Sequence, residues 1–133
     1  AFYLGGVPKE MNCFKKGELD WHPSGSTYTG AGITDSNALF SYHANWEGPG
    51  RWFLELLTPK RRLIFKPFES LHVQEIGSVH VNEVNVDYTL EKDFKPGIYR
   101  QTKAFLNSEF NMFCSLEEQY YLIKNVYNKI SGY

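Results

Sequence analysis

Apolar and polar residues alternate with a period of two through the first two thirds of the chain, then with a helical period through the last third. Residues 9–17 set Met11 and Cys13 against charged neighbours and predict a first strand. Residues 20–35 are dense in Gly, Ser and Thr with one Pro, the punctuation of a long loop. Residues 38–46 and 51–57 flank Glu47-Gly48-Pro49-Gly50, which reads as a hairpin turn because proline presets φ and glycine accepts positive values. Thr58-Pro59-Lys60 turns the chain again into a strand over 62–66. Leu71-His72-Val73-Gln74 and Val79-His80-Val81-Asn82 then alternate on either side of Ile76-Gly77-Ser78. This predicts a hairpin turning within 75–78, with Leu71, Val73, Val79 and Val81 on one face. His72, Gln74, His80 and Asn82 occupy the other. Val84 and Val86 extend the last strand past a bulge near Glu83.

The tail is helical. Pro96 suits a first helical position, and Ile98, Tyr99, Phe105 and Leu106 form an apolar stripe to about residue 107. Ser115-Leu116-Glu117-Glu118 is a capping box, in which the serine oxygen takes the Glu118 amide and the Glu118 carboxylate takes the serine N–H. Leu116, Leu122, Ile123, Val126 and Ile130 continue as the buried stripe, and Gly132 stops the helix. Ala1-Phe2-Tyr3-Leu4-Gly5-Gly6 reads as the last turn of a helix closed by glycine, hence as the edge of an excised domain. The expected fold is α+β over a single domain of residues 1–133. It has one open, mainly antiparallel β-sheet with the C-terminal helices packed on one face.

Composition narrows the function. A formal net charge of −1 gives no electrostatic case for nucleic acid or an anionic membrane. No apolar run approaches the roughly 20 residues of a spanning helix, and no secretory signal pattern is visible. The two cysteines, Cys13 and Cys114, stand far apart and out of metal-ligand spacing, so they read as reduced thiols of a cytoplasmic protein. Aromatic residues reach 17%, which directs attention to half-buried sheet faces or ligand clefts.

The phosphate-cradling motifs are missing. Gly30-Ala31-Gly32 and Gly48-Pro49-Gly50 do not begin a helix after a strand, as a dinucleotide site requires. His22, His43, His72 and His80 lack a Cys or carboxylate at ligand spacing and point to no metal. The basic cluster Lys60-Arg61-Arg62 with Lys66 surrounds a turn and reads as a solvated hairpin tip. The constellation richest in chemistry is Leu19-Asp20-Trp21-His22-Pro23-Ser24 with Tyr42-His43-Ala44-Asn45-Trp46 and Arg51-Trp52. Indoles, a carboxylate, amides and a guanidinium are the groups that recognise hydroxyl-rich ligands, by stacking on C–H faces and by bidentate hydrogen bonds. Trp46 and Trp52 equally suit plain sheet packing. Trp21, His22 and Arg51 are the expected substrate-binding residues.

Four pieces taken in order resemble the C-terminal domain of the Gfo/Idh/MocA family, the glucose–fructose oxidoreductase and inositol dehydrogenase relatives. They are Ala1-Phe2-Tyr3-Leu4-Gly5-Gly6, Gly30-Ala31-Gly32-Ile33, Ala38-Leu39-Phe40-Ser41-Tyr42 and Tyr99-Arg100-Gln101-Thr102-Lys103-Ala104-Phe105-Leu106. The resemblance implies a parent oxidoreductase that uses NAD or NADP on a sugar or polyol. In such a parent an N-terminal Rossmann domain holds the cofactor, and the open sheet face joins two copies as a homodimer. It places the catalytic groups ahead of residue 1, so none is carried onto this chain, which is expected to be inactive and cofactor-free in isolation. A free-standing carbohydrate-binding module and a pure dimerisation domain remain the alternatives.

Overall fold

The computed structural model describes residues 1–132. Its first half holds α1 (Phe2–Gly5), β1 (Pro8–Lys16), β2 (Thr27–Thr34), β3 (Leu39–Asn45), β4 (Leu54–Leu57) and β5 (Arg61–Phe65). Then come β6 (Leu71–Glu75), β7 (Asn82–Glu83), α2 (Thr89–Asp93), α3 (Ile98–Leu106), a 3₁₀ turn at Phe110–Met112 and α4 (Leu116–Leu122). A π-helical turn over Ile123–Tyr127 leads into α5 (Asn128–Ser131). The α+β class holds, with the strands divided between a three-stranded sheet, β1-β2-β3, and a four-stranded one, β4-β5-β6-β7. The chain forms two compact units, Ala1–Gly50 with the chain from Ser115 onward, and Arg51–Cys114.

In the first unit the expected loop over residues 20–35 is overturned from Thr27 onward. Residues 27–34 are the central strand, antiparallel to β1 on one side and β3 on the other. The glycines that looked like loop punctuation are where neighbouring rings come down onto the strand. Cys13, Gly30 and Tyr42 form one cross-strand row, and Met11, Gly32 and Phe40 form the next on the same face. A Cβ on Gly30 would stand 2.5 Å from Tyr42 Cε1 and 2.7 Å from the Asn12 carbonyl. A Cβ on Gly32 would meet Phe40 Cε1 at 2.9 Å and press on the Glu10 carbonyl. The two rings take the space that side chains would fill, which restores packing that glycine costs a strand. Burial, then the adjacent Cys13 thiol, push the Tyr42 phenol above its usual range. The thiol contact falls short of hydrogen-bond geometry, so the buried hydroxyl counts as unpartnered.

Helices cover this same face. The Ser115 capping box forms as expected, the serine hydroxyl accepting from Glu118 N at 3.1 Å and Glu118 Oε2 accepting from Ser115 N at 2.8 Å. Val126 is fully buried, Lys15 Nζ donates to the Ser131 carbonyl at 2.6 Å, and Gly132 ends α5 in the left-handed region. The ring of Phe2, in the short α1 that closes at Gly6, stacks on Tyr127 at 6.4 Å.

The second unit is an antiparallel meander in which two expectations change. Glu47-Gly48-Pro49-Gly50 makes no hairpin: β3 pairs with β2, and β4 pairs with β5 across the tight turn at Thr58-Pro59-Lys60. There the Thr58 hydroxyl donates to the Arg61 carbonyl at 2.8 Å and accepts from Arg61 N at 3.1 Å. So local a closure costs less chain entropy than a pairing across residues 46–53. The β6–β7 turn lies where expected, with Ser78 N on the Glu75 carbonyl at 3.1 Å. The register differs by one residue, because β7 begins only at Asn82 and pairs Val73 with Asn82 and His72 with Glu83. Asn82 therefore shares a face with Val73 rather than with His72, the inversion a one-residue slip produces. Val79 and Val81 stay exposed outside the ladder, as does Val86 beyond its end. Leu54, Leu56, Leu63, Phe65, Leu71 and Val73 line one face. On the other, Arg62 pairs with Glu55.

α2 was not visible in the hydrophobic pattern. Asp87 lies just ahead of its N-cap Tyr88, accepting from Thr89 Oγ1 at 2.6 Å and Thr89 N at 3.0 Å, and these bonds hold its carboxyl below the usual range. α3 begins only at Ile98, after Gly97 in the left-handed region, so Pro96 lies ahead of the helix and not at its first position. Among the described residues no helix is long and apolar enough to cross a membrane.

Replacing Gly30 by alanine tests the ring-over-glycine packing. Overpacking against Tyr42 and a backbone carbonyl should lower stability by about 1–3 kcal/mol, read as an earlier midpoint in chemical denaturation. Alanine at Gly50, where a Cβ meets nothing within 4 Å, should leave the midpoint nearly unchanged.

Candidate functional site

The site is assembled at the end of the three-stranded sheet, within the first unit. Ser26 N donates to the Lys16 carbonyl at 3.0 Å, and the Ser26 carbonyl accepts from Trp46 N at 2.9 Å. The ladder thus continues one residue past β2 and ties the ends of β1 and β3 together. Ser26 is 1% exposed, and its hydroxyl donates to Glu47 Oε2 at 2.5 Å. A buried hydroxyl needs such a partner, and the carboxylate supplies a charge-assisted one.

Between Gly17 and Ser26 the chain doubles back. Leu19 and His22 face each other as an isolated bridge, with His22 N on the Leu19 carbonyl at 2.9 Å. This narrow turn presents Trp21 and His22 together. Trp21 meets Trp46 edge-on at 5.7 Å, and His22 lies 5.5 Å from Trp21, 5.8 Å from Trp46 and 6.0 Å from Tyr28. Trp21 is 65% and Trp46 46% exposed. The indoles therefore keep open surface while their packed edges hold them in place.

Beneath the rings runs a polar network. The Tyr28 hydroxyl donates to the Gly25 carbonyl at 3.1 Å and sits 2.7 Å from Ser24 Oγ. His22 Nδ1 lies 2.9 Å from the same carbonyl, with Ser24 Oγ and Tyr28 Oη each at 3.3 Å. A carbonyl oxygen only accepts, so the 2.9 Å contact places a proton on Nδ1. Nδ1 then has no lone pair to take a proton from Ser24, and the pair is not a nucleophile with its base. Gly25 is required here: a Cβ would stand 2.9 Å from Tyr28 Oη and 3.0 Å from Tyr28 Cζ.

The constellation expected from the sequence is thus divided. Trp21, His22, Ser24 and Trp46 come together, whereas Arg51 belongs to the second unit. There it lines a groove of about 170 Å³ with Trp52, Phe68 and Glu69. His43 stands opposite Thr29 on the open face of the sheet, and Tyr42 lies on the covered face. Tyr28, Ser26 and Glu47 were missed. Tyr28 would have been found had residues 27–34 been read as a strand, since the period of two then puts it in line with Gly30 and Gly32. Among the described residues no group of three or more His, Cys, Asp or Glu could hold a metal ion. Comparison of the chain with family models, curated proteins and solved structures gives no match.

Proposed function

We propose that this chain is the substrate-pocket and assembly domain of an NAD(P)-dependent oxidoreductase acting on a sugar or polyol, and that its own task is to grip the hydroxyl-rich substrate. The observation that carries the reading is the right-angled Trp21–Trp46 pair, half open to solvent and backed by an imidazole. Apolar C–H faces of a sugar ring stack on such indoles, and hydroxyls need fixed acceptors beside them. The resemblance to the Gfo/Idh/MocA C-terminal domain supports the parent reaction. Hydride transfer would be the work of a nicotinamide held by a Rossmann domain preceding this one, while these residues supply shape and polarity.

The same reading assigns the open face of the first sheet to a second copy of the chain. That face carries Phe14, 69% exposed, and Leu39, 85% exposed, beside Ile33, Ser41 and His43. Phe14 and Leu39 stand in separate cross-strand rows, with Asn12, Ala31 and Ser41 between them, and isologous contact across such an exposed face is the common route to homodimers. Light scattering across a concentration series should give the dimer mass, and a monomer mass throughout would remove the second copy from the account.

Calorimetry addresses the pocket. A panel of hexoses and hexitols should include one that binds saturably, and Trp21→Ala should weaken it about 2- to 10-fold, the ~0.5–1.5 kcal/mol of an aromatic contact. NADH and NADPH should give no saturable heat. Saturable nicotinamide binding by this chain, or a sugar affinity indifferent to Trp21, would overturn the reading.

A further inference from the structure

The network beneath the indoles does more than hold them in place. With its proton on Nδ1, the neutral His22 ring carries its lone pair on Nε2. The Gly25 carbonyl can receive both donors aimed at it, Nδ1–H at 2.9 Å and the Tyr28 hydroxyl at 3.1 Å, because it has two lone pairs. With the Tyr28 proton spent on that carbonyl, the 2.7 Å contact to Ser24 is filled by the serine proton. Every proton in the network has one place, and the tautomer follows from it.

The opposite edge of the ring is available. Among the described residues Nε2 has no hydrogen-bond partner. Among the described residues, the half-buried atoms that lack a partner and are sealed from solvent are Tyr42 Oη and His72 Nδ1. His22 Nε2 is not one of them, so it reaches solvent. It does so from a ring within 6 Å of both half-exposed indoles, Trp21 and Trp46.

We infer that His22 Nε2 is a fixed hydrogen-bond acceptor that selects a ligand hydroxyl as donor at one ring position, discriminating against an ether or a missing hydroxyl there. The inference deepens the proposed pocket and rests on it. A site built to pair a hydroxyl rejects the analogue without one because its own polar atom is then left unmatched. Gly25, Tyr28 and Ser24 are positioning residues that act through the imidazole.

Long-range ¹H–¹⁵N spectra of the imidazoles test the tautomer with no ligand present. His22 should show a protonated Nδ1 and an unprotonated Nε2 in its neutral ring, and a proton on Nε2 overturns the inference outright. The second arm titrates D-glucose and its mono-deoxy and mono-O-methyl derivatives. One position should lose affinity by up to about tenfold on either change, the span of a single hydrogen bond. His22→Asn keeps a donor for the Gly25 carbonyl and removes the outer acceptor. In that variant glucose should weaken by a similar factor while the penalty at that one position vanishes, the non-additivity of an interacting pair. A penalty that persists in His22→Asn overturns the inference and leaves the indole pocket standing. If no sugar binds at all, the hydroxyl-ligand reading falls and takes this inference with it, whatever the tautomer.

Discussion

The close approach of Tyr42 and Phe40 to Gly30 and Gly32 is the constraint on which the first unit depends. Side chains at those two positions would collide with rings on one side and with β1 carbonyls on the other, so the middle strand admits glycine alone. With the rings seated over the glycines, β2 is held between β1 and β3 in a single register. That register fixes what stands at its N-terminal end, with Tyr28 in the covered row and Ser26 one step beyond, tied to Lys16, Trp46 and Glu47. The pocket is a consequence of sheet alignment. Trp21 sits on a turn and Trp46 just past the end of β3, but both are fastened to the one part of the strand order that cannot slide.

Chemically the pocket suits a neutral polar ligand. The Glu47 carboxylate is committed to the buried Ser26 hydroxyl, Asp20 stands exposed next to Trp21 in the turn, and the network beneath the rings is built from a phenol, a serine, a backbone carbonyl and an imidazole. No guanidinium or ammonium is among these hydrogen-bond partners, which sets the network apart from a site for phosphates or carboxylates. The guanidinium expected to join it, Arg51, lies in the second unit beside Trp52.

Much of this was legible in the residues because short-range chemistry decides it. The Ser115 box, the glycine stops at Gly6 and Gly132, the Thr58-Pro59-Lys60 turn and the alternation of Met11 with Cys13 all depend on neighbours close in sequence. Residues 27–34 were not legible for the opposite reason. A glycine-rich run becomes a strand only through rings supplied by residues 40 and 42, so the deciding partners lie outside the window. The same holds for β6 and β7. Their alternating valines and histidines predict pairing, but three residues past the turn stay outside the ladder, and the slip of one position exchanges the faces. Trp21 and His22 stood out because an irregular loop has little packing reason to hold both. Tyr28 and Ser26 were hidden by the misread strand.

The most direct measurement of the central claim is a two-dimensional ¹H–¹⁵N map of the chain during titration with the best-bound sugar or polyol. The account requires the indole resonances of Trp21 and Trp46 and the backbone amides around His22 and Gly25 to shift together along one saturating curve. The Trp52 indole and the amides of β4 to β6 should stay unmoved. Shifts confined to Trp52 and Arg51, with the Trp21–Trp46 pair unmoved at saturation, would contradict it and place ligand recognition in the second unit.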